Sequence, residues 1–372
     1  MDLAAVRAAL PVLLQTAYLN TGTAGPWPVP VTTAITRALG REMVHGRASP
    51  RGLPDFPPLL LDTRRRLATW VGAAPEAMAL VGSTTIGVNI VVWGLDWQPG
   101  DEVVTTSIEH RGVLVPLRRL ANRRGVSVRV ADVGDGSTAL EAIQAQLGPR
   151  TRLVAISHVS FSTGACLPIR AIADAAHAAG ASLLVDGAQA VGALPVDVAA
   201  LGVDYYAFPG QKWLCGPEGT GGLFIREERQ AELAATFVGA RSGQPHAAGN
   251  EYSTLFRPGV HGLHAALEWL DGLDREAIFG RTAALADYCY RQLSQATGVQ
   301  MLTPPEARAG LVHVRLPGVD LEATVASLAA HGVTVRSVPD TSSLRISCGF
   351  FNTEAEIDRL AELLQHLPAG AA

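Results

Sequence analysis

Of the 30 basic residues in this chain, a single one, Lys212, is a lysine; all the others are arginines. Arginine replaces lysine wherever only positive charge is required, but a guanidinium cannot serve as the nucleophilic amine of a Schiff base. The lone lysine is therefore either a chance survivor of a composition that disfavours lysine or the one amine that the chemistry needs. Its surroundings bear on that choice. The apolar run Ser182-Leu183-Leu184-Val185 passes straight into Asp186, with Gln189 three residues on, and an acid that ends a buried strand requires a cationic or hydrogen-bonded partner. Lys212 follows the next apolar run, residues 203–208, after Pro209-Gly210-Gln211. Upstream, Gly82-Ser83-Thr84-Thr85 precedes a helical stretch and offers N–H groups and hydroxyls suited to an anion, although alone such a turn is an ordinary N-cap.

An amine, a carboxylate and an anion cradle beyond neighbouring strand ends are what pyridoxal phosphate (PLP) requires. Lysine forms the imine, the acid keeps the pyridine nitrogen protonated so that the ring accepts electrons, and the cradle takes the phosphate. The elements that must position these groups alternate strand and helix between about residues 80 and 226. Strands are expected at 102–106, 126–131, 152–157, 182–186, 203–208 and 221–225, with helices at 112–124 and 169–179. Several of these runs are apolar on both faces, as in a mostly parallel sheet covered by helices, where ligands bind beyond the carboxyl ends of the strands. After Pro258 the pattern changes to helices at 259–273 and 281–295, a strand at 310–316, a helix at 321–331, a strand at 343–347 and a helix at 353–366. The Pro-rich segments 26–30 and 54–58 are expected to be ordered loops.

Composition narrows the partners. The 372 residues are 48% hydrophobic and 17% charged, enough for a large core, and the net charge of −4 provides no basic surface for nucleic acid or an anionic membrane. The uncharged run 77–95 contains Gly82, Ser83, Thr84, Thr85 and Gly87, too polar for a membrane span. No secretory signal follows Met1-Asp2, and Cys166, Cys215, Cys289 and Cys348 form no CxxC pair, so a cytoplasmic protein with reduced thiols is expected. His261 and His264 lack a third ligand for a metal, and Arg64-Arg65-Arg66 reads as a solvated helix face.

Val185-Asp186-Gly187-Ala188-Gln189 followed by Gly210-Gln211-Lys212-Trp213-Leu214-Cys215-Gly216-Pro217-Glu218-Gly219 resembles the class V aminotransferase family of fold type I PLP-dependent enzymes. That family includes cysteine desulfurases, cysteine/cystine carbon–sulfur lyases and isopenicillin N epimerase-like proteins. The resemblance runs from Tyr18-Leu19-Asn20 to Phe351-Asn352-Thr353-Glu354. It implies an α/β fold with a mostly parallel seven-stranded large domain (31–260), a smaller α+β C-terminal domain (261–372), and an N-terminal segment (1–30) joining the small domain and the active site. Residue by residue, Lys212 resembles the imine-forming lysine and base, Asp186 the pyridinium partner, Gln189 the donor to the phenolic oxygen, and His110 the histidine that stacks on the ring. Ser83, Thr84, Thr85 and Gln211 fall in the cofactor-binding segments. Thr254 resembles the threonine that reaches the phosphate from the neighbouring subunit, which implies a homodimer. Arg345 resembles the arginine that grips the substrate carboxylate, and Asn20 accompanies it. Without the resemblance, His110 would read as a loop histidine.

The family alone leaves the reaction open. Desulfurases need a mobile cysteine shortly before the carboxylate-binding arginine, whereas Val335-Arg336-Ser337-Val338-Pro339-Asp340-Thr341-Ser342-Ser343 is short and cysteine-free. The leading expectation is a cysteine/cystine carbon–sulfur lyase acting on a small amino acid and releasing pyruvate, ammonia and sulfide or persulfide. The alternatives are an aminotransferase or epimerase, desulfurase-like sulfur transfer, and a non-catalytic PLP-binding regulator. Pro209 and Gln211 stand where desulfurases commonly have Ser and His, and Phe161 and Ser162 near an expected Asn, so the ring contacts must differ in detail. Arg47 and Arg51 lie in a Gly/Pro loop where the family often places substrate contacts, but read alone as surface residues.

Overall fold

A computed structural model describes residues 1–49, 55–252, 254–306 and 308–366; Arg51 lies outside them. Its central sheet has seven strands in the order Met78–Leu80, Gly221–Ile225, Tyr205–Pro209, Ser182–Asp186, Thr151–Ser157, Glu102–Thr106 and Ser127–Ala131. The last five are mutually parallel; Gly221–Ile225 adds antiparallel to Tyr205–Pro209, and Met78–Leu80 pairs antiparallel to Gly221–Ile225 on the edge. Leu183, Leu184 and Val185 are buried on both faces of the sheet, which is why this strand reads as an unbroken apolar run. Burying each such side chain contributes about 1.5–3 kcal/mol.

The expected strands and crossover helices appear within a few residues of their anticipated limits, but the two proline-rich segments do not remain loops. Helices Val29–His45 and Phe56–Trp70 begin inside them, with proline in the first turn of each. A proline there removes no needed N–H, and its fixed φ suits the helix; Pro54 lies outside the described residues. The helix expected from 281 starts earlier, at Arg275, because Asp274 caps it: its Oδ1 accepts the N–H groups of Glu276 and Ala277 at 3.0 and 3.3 Å. Of the arginine triplet, Arg65 alone is exposed. Arg64 pairs with the fully buried Glu251 at 2.7 Å, and Arg66 pairs with Asp62 and Asp271.

A second, antiparallel sheet is ordered Arg336–Val338, Ser343–Ser347, Leu311–Arg315 and Gln300–Met301. Its core includes Leu285, Cys289 and Leu293 from helix Arg275–Ser294 and Ile357 and Leu360 from helix Glu354–Gln365. Helix Arg257–Asp271 runs through the sequence boundary at 260, and its Leu263, Leu267 and Leu270 join the core around the main sheet. The N-terminal segment ties the two parts together. Ala17–Tyr18 pairs parallel with Val333–Thr334, Asn20 bridges Ser347, and Gly25 N–H donates to the Gln211 carbonyl at 2.7 Å.

Candidate active site

Lys212 sits in a loop that closes on itself beyond strand Tyr205–Pro209. Gly210 N–H donates to Thr220 O (2.7 Å), Gly216 N–H to Gly210 O (2.8 Å) and Cys215 N–H to Lys212 O (3.0 Å). Cys215 adopts φ 53°, in the left-handed region. The N-terminal segment presses on this turn so closely that a Cβ on Gly25 would lie 2.0 Å from the Lys212 carbonyl oxygen, a position only glycine fills. The lysine faces a cavity of about 190 Å3 whose lining includes Asp186, Gln189, His110, Gln211, Arg345 and the Ser83–Thr84–Thr85 turn. Two anticipated site residues lie elsewhere. Asn20 stands behind Thr23, whose hydroxyl donates to Asn20 Oδ1 at 2.7 Å, and Thr254 is exposed and away from the cavity of its own chain.

Each polar group on this side of the cavity is held by a local feature. Ser83 caps helix Thr84–Gly94, its Oγ accepting Ile86 N–H at 3.2 Å, so the first N–H groups of the helix point at the cavity with their positive dipole end. Asp186 Oδ1 accepts Ala188 N–H at 2.8 Å. Gln189 accepts from Trp213 Nε1 and donates to Gly22 O, both at 2.9 Å, leaving one amide hydrogen free. His110 Nδ1 accepts Gly112 N–H at 2.9 Å, so its neutral form carries the proton on Nε2, and its ring stands edge-on to Phe161 at 4.9 Å. Phe161 thus packs against the histidine in the stretch where desulfurases commonly carry an asparagine, while Ser162 donates to the Ile108 carbonyl.

The electrostatics favour proton transfer. Burial lowers Lys212 to about 8, against the pull of the Asp186 carboxylate and with further push from Arg345 and Arg336. Burial raises Asp186, while Lys212, the Ala188 N–H and His110 hold it back. Burial lowers His110, with Asp186 opposing and Lys212, Arg336 and Arg345 adding to the fall. An amine near 8 keeps a far larger neutral fraction at physiological pH than an ordinary lysine.

The opposite wall is cationic. Arg345 is only 2% exposed, and burial together with Arg336 lowers it to about 9. It faces Arg336 across the antiparallel register. Arg345 Nη2 and Arg336 Nη1 both donate to Thr23 Oγ1, at 2.5 and 3.3 Å. Neither guanidinium makes an ion pair among the described residues. Thr23, Arg336 and the cavity-lining Ser157 and Phe161 were not anticipated as site residues. Arg336 had a signal: it begins the strand that pairs with the strand of Arg345, so a hairpin over 336–347 brings the two side by side.

These residues fit PLP. Gln211 Oε1 and Arg345 Nε are buried polar atoms with no partner among the described residues, and such atoms are characteristically satisfied by something. An amine, a buried acid and a helix start supply the three contacts that the group needs.

Residues 26–360 match the family model described as aminotransferase class-V. The chain is 34% identical over 390 residues to the isopenicillin N epimerase of Amycolatopsis lactamdurans, covering 94% of each chain. It is 33% identical over 396 residues to the cysteine desulfurase of Cronobacter sakazakii, covering 95% of each. Among solved structures, the cystine C–S lyase C-DES in complex with its product cysteine persulfide superposes with a TM-score of 0.91 at 31% identity, over 96% of this chain and 99% of that one. A C-DES variant with glycine covalently linked to its PLP cofactor gives 0.92 at 31% identity, over 97% and 99%.

Proposed function

This chain belongs to the class V aminotransferase family, and from that premise we propose that it is a PLP-dependent carbon–sulfur lyase whose preferred substrate is cystine. The observation that carries the reading is the pair of guanidinium groups, Arg345 and Arg336, that share Thr23 on one wall of the cavity without an acid of their own. A substrate with two carboxylates satisfies both. Cystine has them, and cysteine has one.

When bound, the cofactor acts as an electron sink for the carbanion formed at the substrate Cα. Arg345 holds the α-carboxylate by a planar fork, with Thr23 and Asn20 behind it fixing the angle. Arg336 takes the distal carboxylate and so sets the disulfide over the cavity. Lys212, as the neutral amine, removes the Cα proton; the Cβ–S bond then breaks, its electron pair leaving with the persulfide sulfur. Hydrolysis of the released aminoacrylate yields pyruvate and ammonia. No cysteine lines the cavity: Cys215, Cys289 and Cys348 are buried and Cys166 is half-buried elsewhere. That favours elimination over transfer of sulfur to a protein thiol.

The exposed Thr254 fits a homodimer in which each chain completes its partner's phosphate site, and the anchoring of Glu251 by Arg64 and Arg241, both at 2.7 Å, fixes the start of the segment that carries it. No helix among the described residues is long and apolar enough to cross a membrane, and a cytoplasmic enzyme is proposed.

The test is product analysis with L-cystine and L-cysteine, measuring pyruvate, alanine, persulfide and recovered amino acid configuration. Pyruvate with cysteine persulfide from cystine, and slower pyruvate with sulfide from cysteine, are expected. Alanine would instead establish desulfuration. Inverted configuration would establish epimerisation, the second reading, which the relative from Amycolatopsis lactamdurans favours.

A further inference from the structure

Next to His110 the chain carries a glutamate that no step above uses. Glu109 is 4% exposed, and its carboxyl turns inward to the strand ends. The Thr106 hydroxyl lies 2.6 Å from Oε1 and the Ser157 hydroxyl 2.5 Å from Oε2. Ser157 in turn lies beside Asp186 in the parallel register and lines the cavity. The charged group acting on Glu109 is therefore Asp186, another acid. No lysine, arginine or histidine makes an ion pair with it among the described residues, and the neighbouring His110 turns its Nδ1 to the Gly112 N–H instead.

A buried carboxylate with only neutral partners, beside a second carboxylate, is better accommodated with its proton on. Burial raises Glu109 to about 7, against the Ser157 and Thr106 hydrogen bonds and with a further contribution from Asp186.

We infer that Glu109 is a positioning residue held as the neutral acid: its Oε2–H donates to Ser157 Oγ, turning the hydroxyl hydrogen of the serine into the cavity beside Asp186. Asp186 is then the single negative charge under the site. When Glu109 loses its proton to solvent, the serine hydrogen swings back to the carboxylate, and the cavity loses a donor while gaining a second negative charge nearby. The role for the cofactor rests on the PLP reading; the protonation state does not.

Infrared difference spectroscopy on the purified full-length protein reads that state directly. The carbonyl stretch of a protonated carboxyl should be present at about pH 5.5, fade by about pH 8.5 and be missing from the Glu109→Gln difference spectrum. An identical acid-side spectrum in wild type and variant overturns the inference. A group whose folded pKa is raised stabilises fully below its unfolded pKa and loses that contribution as pH rises through the folded value. Wild-type thermal stability should therefore fall between about pH 5 and 8 more than that of Glu109→Gln; parallel curves overturn the inference. If the glutamine variant does not fold, Ser157→Ala replaces it, with a shifted carbonyl band expected and an unmoved band fatal. A change in the pH midpoint of the visible absorbance in Glu109→Gln extends the role to the cofactor. That last readout vanishes if the PLP reading fails, whereas the infrared and unfolding results stand regardless.

Discussion

The two walls of the cavity carry opposite charge and are assembled by opposite means. Asp186, Ser157 and the Thr106 that holds Glu109 sit at the carboxyl ends of adjacent parallel strands, so the acid floor is a product of one sheet and its register. Arg345 and Arg336 come from an antiparallel hairpin of the second sheet and are joined by Thr23, more than 300 residues away in sequence. The floor keeps its negative charge opposite the Lys212 amine. Among the described residues the cationic wall has no acid of its own, which fits the carboxylates of the proposed substrate. On the proposed reading, chemistry is placed on the central sheet, and selectivity on the element brought in from elsewhere in the chain.

The largest effect is expected from removing the amine. Lys212→Ala should lose the visible chromophore of the purified protein and reduce turnover by roughly 1,000-fold or more; a variant that keeps the absorbance would show that Lys212 is not the amine that binds the cofactor. On the cationic wall, Arg345→Ala should reduce kcat/KM for every amino acid by about 100-fold, equivalent to about 3 kcal/mol for a buried charge-assisted contact. Arg345→Lys should recover little of it, since an ammonium lacks the planar fork. Steady-state kinetics with cystine and cysteine would check both variants.

The floor also predicts a pH dependence. Lys212 is lowered by burial to about 8, so in cofactor-free protein its modification by a small aldehyde should rise with pH through that value, well below an ordinary lysine. Because the chain has no other lysine, mass spectrometry resolves it from the N-terminal amine alone. A midpoint near that of a free lysine would mean that the floor does not tune its amine. The smallest effect separates the two guanidinium groups. Arg336→Ala, at the more exposed position, should raise KM for cystine roughly 5-fold and leave cysteine nearly unchanged; an equal rise for both would return the wall to a single carboxylate site.

Much of this was legible before folding. Lys212 was marked by being the one amine, and Asp186 by ending an apolar run, because a strand buried on both faces cannot tolerate a charge except at its end. The strand and helix rhythm followed from local periodicity. The proline-rich segments misled, since proline signals a loop and a first helical turn alike.

What the sequence by itself determined is therefore the fold and the placing of the lone amine, the buried acid and the Ser83–Thr84–Thr85 turn at strand ends and a helix start, each encoded within a few residues. Tertiary structure alone decided that Thr23 bridges Arg336 and Arg345, that Asn20 stands behind it, that Phe161 backs His110, and that Glu109 lies buried near Asp186 through Ser157. Those contacts depend on strand register and on packing between segments far apart in the chain, and no short stretch of residues carries that information.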